Sequence, residues 1–163
     1  MSAKIEEEKY IVYADGACSG NPGVGGWGVY IESPSISIEE FGYEMDTTNN
    51  RMELTAVIKS FDFITNKKTS KITVYTDSQY VQKGMTEWIY GWQKSGKLLE
   101  NSKNKVKNLD LWLELINISG EYKDIIWLWV RGHDGNFGNE KADQLAQKGV
   151  LEAIRIINNK AYN

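Results

Sequence analysis

Apolar and polar residues alternate along the first part of the chain, which is the pattern of half-buried β-strands. Residues 9–14, 27–32 and 37–45 predict three strands. The segment between the first two, residues 15–26, predicts a turn because it is rich in glycine, which no helix tolerates at that density. Short connections join antiparallel neighbours, so we expect the three strands to pair in sequence order.

After Asn50 the apolar positions recur every three or four residues, as they do on one face of an amphipathic helix. They are Leu54, Val57, Ile58, Phe61 and Ile64. Further along, the pattern predicts strands at residues 72–76 and 125–130, helices at 78–85, 109–118 and 140–158, and a glycine-containing loop at 131–138. Because residues 125–130 are apolar on both faces, we interpret that strand as central and parallel.

The order of these elements is three strands followed by helices that alternate with two more strands. It predicts one α/β domain over residues 1–163, built on a five-stranded mixed sheet. The first three strands are expected to be antiparallel and the last two parallel, with helices on both faces of the sheet. A chain of 163 residues is long enough to bury a core of that kind.

Composition and charge narrow the class of protein. No apolar run reaches the roughly 20 residues of a membrane span, and the polar N-terminus lacks the apolar core of a secretory signal. We therefore expect a cytoplasmic protein that does not enter a membrane. The single cysteine excludes an internal disulfide and a cysteine-based zinc site. The net charge of −3 argues against a surface that is basic throughout, whereas five lysines between residues 93 and 108 indicate one local site for phosphate.

Four acids that lie far apart in the chain are candidates for a shared site: Asp15, Glu53, Asp77 and Asp143. Each also has a purely structural interpretation. Asp15 could stand in an Asp-Gly turn, Glu53 and Asp77 could cap helices, and Asp143 could complement a helix dipole. Taken singly, each acid is explained better by structure than by chemistry.

The predicted positions of the acids favour a common site. Asp15 and Asp77 end predicted strands, and sites in α/β sheets form at the carboxyl ends of strands. Glu53 and Asp143 lie near predicted helix starts beside the sheet. Carboxylates gathered there repel one another unless a cation neutralises them. Because the candidate ligands are all oxygen atoms, the pattern favours Mg²⁺ or Mn²⁺ over zinc.

The segments around the four acids resemble a known family. They are YADGACSGNPGVGGWG at residues 13–28, TTNNRMEL at 47–54, YTDSQYV at 75–81 and GHDGNFGNEKADQLA at 132–146. In this order and at these separations they resemble the bacterial type 1 ribonuclease H family, over about residues 9–149. The resemblance implies a ribonuclease H-like fold. It also implies an endonuclease that cuts the RNA strand of an RNA–DNA hybrid and leaves 3′-hydroxyl and 5′-phosphate ends.

The resemblance also implies roles at the reacting centre. Asp15, Glu53, Asp77 and Asp143 match the family's metal-binding carboxylates, which hold two Mg²⁺ ions, with Mn²⁺ as a possible substitute and Asp15 as the shared ligand. Two ions about 4 Å apart can activate a water and stabilise the leaving oxygen. His133, the only histidine, matches a family residue that assists proton transfer or product departure. Its structural alternative is an ordinary surface loop residue.

Further residues match family positions that hold the two strands of the hybrid. On the RNA side these are Cys18, Asn21, Asn49, Asn50 and Gln79. On the DNA side they are the phosphate-binding pair Thr48 and Asn108, the sugar-packing Trp88, and Lys94, Lys97 and Lys105 of a basic protrusion at residues 88–108. Asn49 and Asn50 could instead cap a helix, and the protrusion could be a solvated loop. Asp46 stands near a position where the family often has arginine, which predicts a weaker or differently built phosphate pocket.

Four tryptophans are assigned mainly to the core: Trp92, Trp112, Trp127 and Trp129. Two rival functions stay open from the residues alone. One is a module of the same fold that binds hybrids without cutting them, and the other is a glycosidase that uses a pair of carboxyl groups. We expect a monomer with no obligate protein partner.

Overall fold

The computed structural model describes residues 8–132 and 134–161. Its five strands are β1 Lys9–Gly20, β2 Gly23–Glu32, β3 Ser37–Thr47, β4 Lys71–Thr76 and β5 Asp124–Trp129. They form one sheet in the order β3-β2-β1-β4-β5. β1, β2 and β3 are antiparallel neighbours, whereas β4 and β5 run parallel to β1. The predicted five-stranded mixed sheet is therefore confirmed.

In the described part of the chain, five α-helices accompany the sheet: α1 Asn49–Ser60, α2 Gln79–Lys83, α3 Ile89–Ser95, α4 Leu109–Ser119 and α5 Phe137–Ala161. A 3₁₀ turn, Phe61–Phe63, follows α1, and a π-helical turn, Gly84–Trp88, joins α2 to α3. Among the described residues, none of the helices combines the length and apolar character needed to cross a membrane.

The two faces of the sheet are covered by different helices. α1 packs on β1 and β2 and also against α4, and this side holds the main core, which includes the fully buried Trp112. α5 packs on β2, β1 and β3. Because alternate residues of a strand point to opposite faces, the adjacent glycines Gly25 and Gly26 meet α1 and α5 respectively. Helices on both faces were predicted from the element order.

The predicted glycine-rich turn is wrong. β1 runs on to Gly20 and β2 starts at Gly23, so only residues 21–22 turn. The glycines serve close packing instead, because a Cβ at Gly26 would lie 2.2 Å from the Ala146 carbonyl oxygen and one at Gly28 would lie 2.3 Å from that of Ala142. α5 therefore rests directly on the backbone of β2.

The interpretation of the last strand as central is also wrong, because β5 lies at the edge of the sheet. Ile126 and Leu128 remain 52% and 40% exposed. An apolar run indicates that its side chains prefer burial, but it does not indicate how many neighbouring strands and helices are available to bury them. Trp129, assigned to the core, is 41% exposed, while Trp92 and Trp127 are partly buried against the core as expected.

Helix boundaries differ from the prediction at two places. The helix predicted at residues 78–85 changes at Gly84, where a Cβ would lie 2.0 Å from the Trp112 ring, and continues as the π-helical turn and α3. The last helix begins three residues early because Asn136 caps it, with Oδ1 accepting the Asn139 N–H at 2.9 Å.

We predict that Gly28→Ala lowers the free energy of unfolding by about 2 kcal/mol or more, because the added methyl group overpacks the β2–α5 contact. Urea unfolding followed by circular dichroism measures this value. Gly91→Ala is the matched control, since a Cβ there meets nothing within 4 Å, and it should be neutral or stabilise α3 by up to about 1 kcal/mol. Equal effects at both positions would contradict the close-packing argument.

Candidate metal centre and nucleic-acid interface

Three of the four predicted acids meet at one end of the sheet. Asp15, Glu53 and Asp77 each offer a carboxylate oxygen, and these atoms all lie within 4.8 Å of one another. The strand register explains the meeting of two of them, because parallel pairing of β1 with β4 stops at Ala14 and Thr76. The next residue of each strand is an acid, so Asp15 and Asp77 emerge side by side.

Gly16 brings the third acid into the cluster. A Cβ on Gly16 would lie 2.5 Å from the backbone nitrogen of Glu53, so only glycine lets α1 approach β1 this closely. The Gly16 N–H also donates to Asp15 Oδ1 at 2.9 Å. The Asp-Gly pair therefore forms a point of contact between strand and helix, and the turn proposed as its structural alternative is not present.

Asp143 approaches the cluster from the opposite face. It lies in the second turn of α5, is partly buried, and interacts with the Asp15 carboxyl group. Its placement depends on the β2–α5 contact, since Gly28, the β2 partner of Asp15, touches Ala142 beside it. All four predicted acids thus converge, with three in a tight group and Asp143 next to Asp15.

The cluster is electrostatically unfavourable without a cation. Burial raises the pKa of Asp15 far above the usual carboxyl range, and the negative charges of Asp77 and Asp143 raise it further. The pKa of Glu53 is also raised, first by burial and then by the charges of Asp15 and Asp77. Asp15 and Glu53 are only 3% and 5% exposed, so water offers little relief.

An unsatisfied oxygen supports metal binding at this place. Glu53 Oε2 is buried and has no hydrogen-bond partner among the described residues, which is costly for a carboxylate. A divalent cation would satisfy this atom and neutralise the clustered charge. The donor atoms are all oxygen, which suits Mg²⁺ or Mn²⁺, so the residues present fit the predicted metal.

The helix-capping alternatives for Glu53 and Asp77 are wrong. Thr48 caps α1, its side chain accepting the Arg51 N–H at 3.3 Å. Ser78 caps α2, with Oγ accepting the Val81 N–H at 3.2 Å. Both acids are therefore free to serve the cluster.

Trp129 holds the backbone of one acid, a role that the sequence did not suggest. Its indole Nε1 donates to the Asp77 carbonyl oxygen at 3.0 Å, which ties the end of β5 to the residue after β4. Gly132 also lies against the Asp77 side chain, where a Cβ would be 2.9 Å from Oδ2. His133 lies outside the described residues, and its role stays a prediction.

The residues predicted to contact RNA lie on the elements that carry or follow the acids, in β1 and its turn, α1 and α2. The Cys18 thiol donates to the Thr47 carbonyl oxygen at 3.5 Å. Asn21 Oδ1 accepts the Asn49 N–H at 3.3 Å and ties the β1–β2 turn to the start of α1. Asn50 and Gln79 are exposed in the first turns of α1 and α2. Neither Asn49 nor Asn50 is the cap of α1, because Thr48 takes that place.

A second region lies at the start of α4, where a cleft of about 610 Å³ is open to solvent. It is lined by Arg51, Glu100, Lys105, Val106, Lys107, Asn108, Leu109 and Asp110. Asn108, one of the two predicted phosphate-binding residues, is thus in a cleft with three basic side chains. Thr48, the other predicted residue, does not line the cleft; its side chain accepts the backbone N–H of Arg51, which does.

Arg51 was missed by the sequence prediction. Its guanidinium donates to both carboxylate oxygens of Asp110, at 2.9 and 2.7 Å, and to Asn108 Oδ1 at 3.3 Å. The hydrogen bonds from Arg51 lower the pKa of Asp110. Asp110 is 65% exposed in its side chain, so the pair orients Arg51 more than it stabilises the fold. A signal was available, since Arg51 is one of three arginines in the chain and lies inside the TTNNRMEL segment.

The predicted basic protrusion comprises α3 and the loop that follows it. Trp88, at the end of the π-helical turn that precedes α3, is 38% exposed. The loop is closed by the Val106 N–H, which donates to the Lys97 carbonyl oxygen at 3.1 Å. Lys94, Lys97 and Lys105 are exposed, and Lys105 lines the cleft. Asp46, also exposed, contributes to the raised pKa of Cys18 after burial has raised it.

The sheet order and the acid cluster define a protein with the ribonuclease H-like fold. Among solved structures, LC9-RNase H1, a type 1 RNase H with the type 2 active-site motif, is similar with a TM-score of 0.80 and 34% sequence identity, covering 93% of this chain and 76% of that one. LC11-RNase H1 in complex with RNA/DNA hybrid is similar in fold, with a TM-score of 0.68, 22% identity, and coverage of 89% and 99%.

Sequence relatives place the chain more narrowly. The ribonuclease H of Methylobacillus flagellatus is 50% identical over 154 residues, 94% of this chain and 97% of the relative. That of Francisella tularensis subsp. novicida is 47% identical over 149 residues, 91% and 95% of the two chains. The family model described as RNase H matches residues 7–151. The chain belongs to the ribonuclease H family, and the predicted resemblance is confirmed.

We predict that Asp15→Asn stabilises the metal-free protein, because it removes one buried charge from the cluster. In the folded state the pKa of Asp15 lies above its unfolded value, so the wild type loses stability as the pH rises above the ordinary carboxyl range. The melting temperature of the variant in EDTA should exceed that of the wild type by a margin that widens from pH 5 to pH 8. Each 1 kcal/mol of relief corresponds to about 2–4 °C.

Differential scanning calorimetry in EDTA measures this margin. Asp62→Asn, a change of an exposed acid in the 3₁₀ turn, is the matched control and should give no widening margin. Adding Mg²⁺ should raise the wild-type melting temperature and narrow the difference from Asp15→Asn. A wild type unaffected by Mg²⁺, or a variant less stable than it in EDTA at pH 8, would contradict the assigned cluster.

Proposed function

We propose that this protein is a metal-dependent endonuclease that hydrolyses the RNA strand of RNA–DNA hybrids and leaves 3′-hydroxyl and 5′-phosphate ends. The observation that carries the proposal is the group of Asp15, Glu53 and Asp77 with its buried, unsatisfied Glu53 oxygen, in a chain of the ribonuclease H family. A cluster that is unfavourable without metal, at the open end of a sheet, suits chemistry on a phosphodiester.

The four carboxylates would hold the metal. Asp15 interacts with Asp77, Asp143 and Glu53, so it is the acid that we expect two ions to share as a ligand. Two Mg²⁺ ions, or Mn²⁺ in their place, would supply an activated water and stabilise the leaving oxygen. The low exposure of Asp15 and Glu53 keeps bulk water away from their charges, which strengthens their attraction for a cation.

The surrounding residues would bind and orient the hybrid. Asn49, Asn50 and Gln79 carry amides that both donate and accept, as recognition of an RNA 2′-hydroxyl requires. The backbone near Cys18 and Asn21, at the tip of the β1–β2 hairpin, would contact the same strand. The hybrid complex of LC11-RNase H1, which shares the fold, supports an RNA–DNA hybrid as the ligand class.

The DNA strand would lie across the cleft at α4. Thr48 and Asn108 would contact one of its phosphates. Asp46 stands near the position where the family often has arginine, and Arg51 would contribute the positive charge instead. Trp88 would pack on a deoxyribose, and Lys94, Lys97 and Lys105 would contact phosphates further along. His133 would assist proton transfer or product departure, and its effect would fall on rate more than on binding.

We further propose that residues 1–163 act as one ribonuclease H domain, monomeric and cytoplasmic, with no obligate protein partner. The alternative of a hybrid-binding module without activity is disfavoured because all four acids are present and converge. A metal-independent glycosidase is disfavoured by the unsatisfied buried carboxylate oxygen and by the family.

We predict that the wild type cleaves the RNA strand of a labelled hybrid in Mg²⁺ and that EDTA abolishes cleavage. Asp15→Asn should reduce the rate by about a hundredfold or more, because replacing a residue that only supports a metal ligand already costs about 10- to 100-fold. Hybrid binding in EDTA should be largely retained. Gel electrophoresis of end-labelled RNA measures the rate, and Asp62→Asn is the active control. Absence of RNA cleavage by the wild type would reject the proposal, and cleavage in EDTA would reject the role of metal.

We predict that replacing Lys94, Lys97 and Lys105 together by Gln raises KM for the hybrid and flattens the salt dependence of binding. Each lost phosphate contact should reduce the slope of log K against log salt by about 0.9. The matched control replaces three lysines that are also exposed but lie towards the opposite end of the sheet, Lys59, Lys68 and Lys123. Both triple variants change the net charge by the same amount. Equal slopes of log K against log salt for the two would show that the protrusion does not touch phosphate.

A further inference from the structure

One tyrosine links the acid-bearing end of β4 to the cleft at α4. Tyr80 lies in α2, three residues after Asp77, and is partly buried. Its hydroxyl accepts the Trp112 Nε1–H at 2.9 Å and an Asn108 Nδ2–H at 3.1 Å, and it donates to the Lys107 carbonyl oxygen at 3.5 Å. A phenol hydroxyl has one donor and two acceptor positions, so all of its hydrogen-bonding capacity is used.

The ring of Tyr80 adds contacts to two tryptophans. It packs edge-on against Trp88, with centroids 5.9 Å apart, and against Trp112, at 5.2 Å. Trp112 is fully buried, whereas Trp88 is 38% exposed. Tyr80 therefore connects the core to two of the proposed DNA-contacting residues, Trp88 and Asn108.

The Asn108 amide is held from both ends. Arg51 donates to Oδ1 at 3.3 Å, and because a guanidinium only donates, the atom that it meets must be the oxygen. The Nδ2 group then faces Tyr80 and keeps one hydrogen for another acceptor. Asn108 also has a φ of 60°, in the left-handed region that few residues other than glycine and asparagine adopt. Its carbonyl oxygen accepts the N–H groups of Leu111 and Trp112.

We propose that Tyr80 is a positioning residue for the DNA strand, acting through the Asn108 amide. Its hydroxyl fixes the amide so that the remaining Nδ2–H is available in the cleft to a DNA phosphate oxygen. Tyr80 itself does not touch the substrate. The inference deepens the proposed function and rests on it, because it requires that Asn108 binds the DNA strand of a hybrid.

A double-mutant cycle tests this proposal. Tyr80→Phe keeps the ring and removes the hydroxyl, and Asn108→Ala removes the amide. Affinity for a fluorescent RNA–DNA hybrid is measured by anisotropy in EDTA, where cleavage does not interfere, and well below each variant's melting temperature. Tyr80→Phe should raise Kd by about fivefold, the scale of one ordinary net hydrogen bond. The double variant should bind no more weakly than Asn108→Ala alone.

Two controls separate positioning from loss of stability. Tyr43→Phe makes the same chemical change at a side chain that is 37% exposed in β3, outside the cleft and the protrusion, and should leave Kd unchanged. A hybrid whose DNA strand carries uncharged methylphosphonate linkages should bind wild type and Tyr80→Phe equally, because the amide then has no charged oxygen to meet. A variant that is only less stable would keep its defect with this substrate.

Each outcome decides the proposal. Non-additive effects that vanish on the uncharged DNA strand support it. Additive effects of Tyr80→Phe and Asn108→Ala, or a defect that persists on the uncharged strand, overturn it while wild-type cleavage in Mg²⁺ leaves the proposed function standing. A wild type that neither binds nor cleaves the hybrid would reject both.

Discussion

The mutual repulsion of carboxylates in a place from which water is excluded is the constraint on which the rest of this structure depends. Asp15 and Glu53 are almost fully buried, and Asp77 and Asp143 add further negative charge. Nothing in the fold requires acids there, so their presence costs stability that a cation would restore. The surrounding elements act as a rigid frame that prevents the acids from moving apart.

That frame is built from close backbone contacts. Gly16 lets α1 meet β1, and Gly26 and Gly28 let α5 rest on β2. A side chain at any of these positions would separate a helix from the sheet and move an acid with it. The placement of Glu53 and Asp143 is therefore a property of the glycines opposite them as much as of their own helices.

The sequence predicted the sheet, its mixed topology and the four acids, because alternation and helical spacing are local signals and because the motifs carry the acids in order. It failed where the answer depends on neighbours distant in the chain. An apolar run placed β5 at the centre of the sheet, although its exposed Ile126 and Leu128 show an edge. The glycines of residues 15–26 were interpreted as a turn because their partners, α1 and α5, are not visible in local sequence.

The candidate site shows the same division. The acids could be predicted because few other residues hold a divalent cation. Trp129 contacts the Asp77 carbonyl oxygen and Arg51 contacts Asn108, and neither contact can be predicted from the spacing of residues in the sequence.

Beyond Asp15, β1 keeps β2 as a partner but loses β4. Opening of the hairpin tip breaks pairs on one side only, so hydrogen exchange there needs less free energy than exchange in the doubly paired part of β1. Asp15 thus stands at the point where β1 changes from two pairing partners to one, at the boundary between doubly and singly paired backbone.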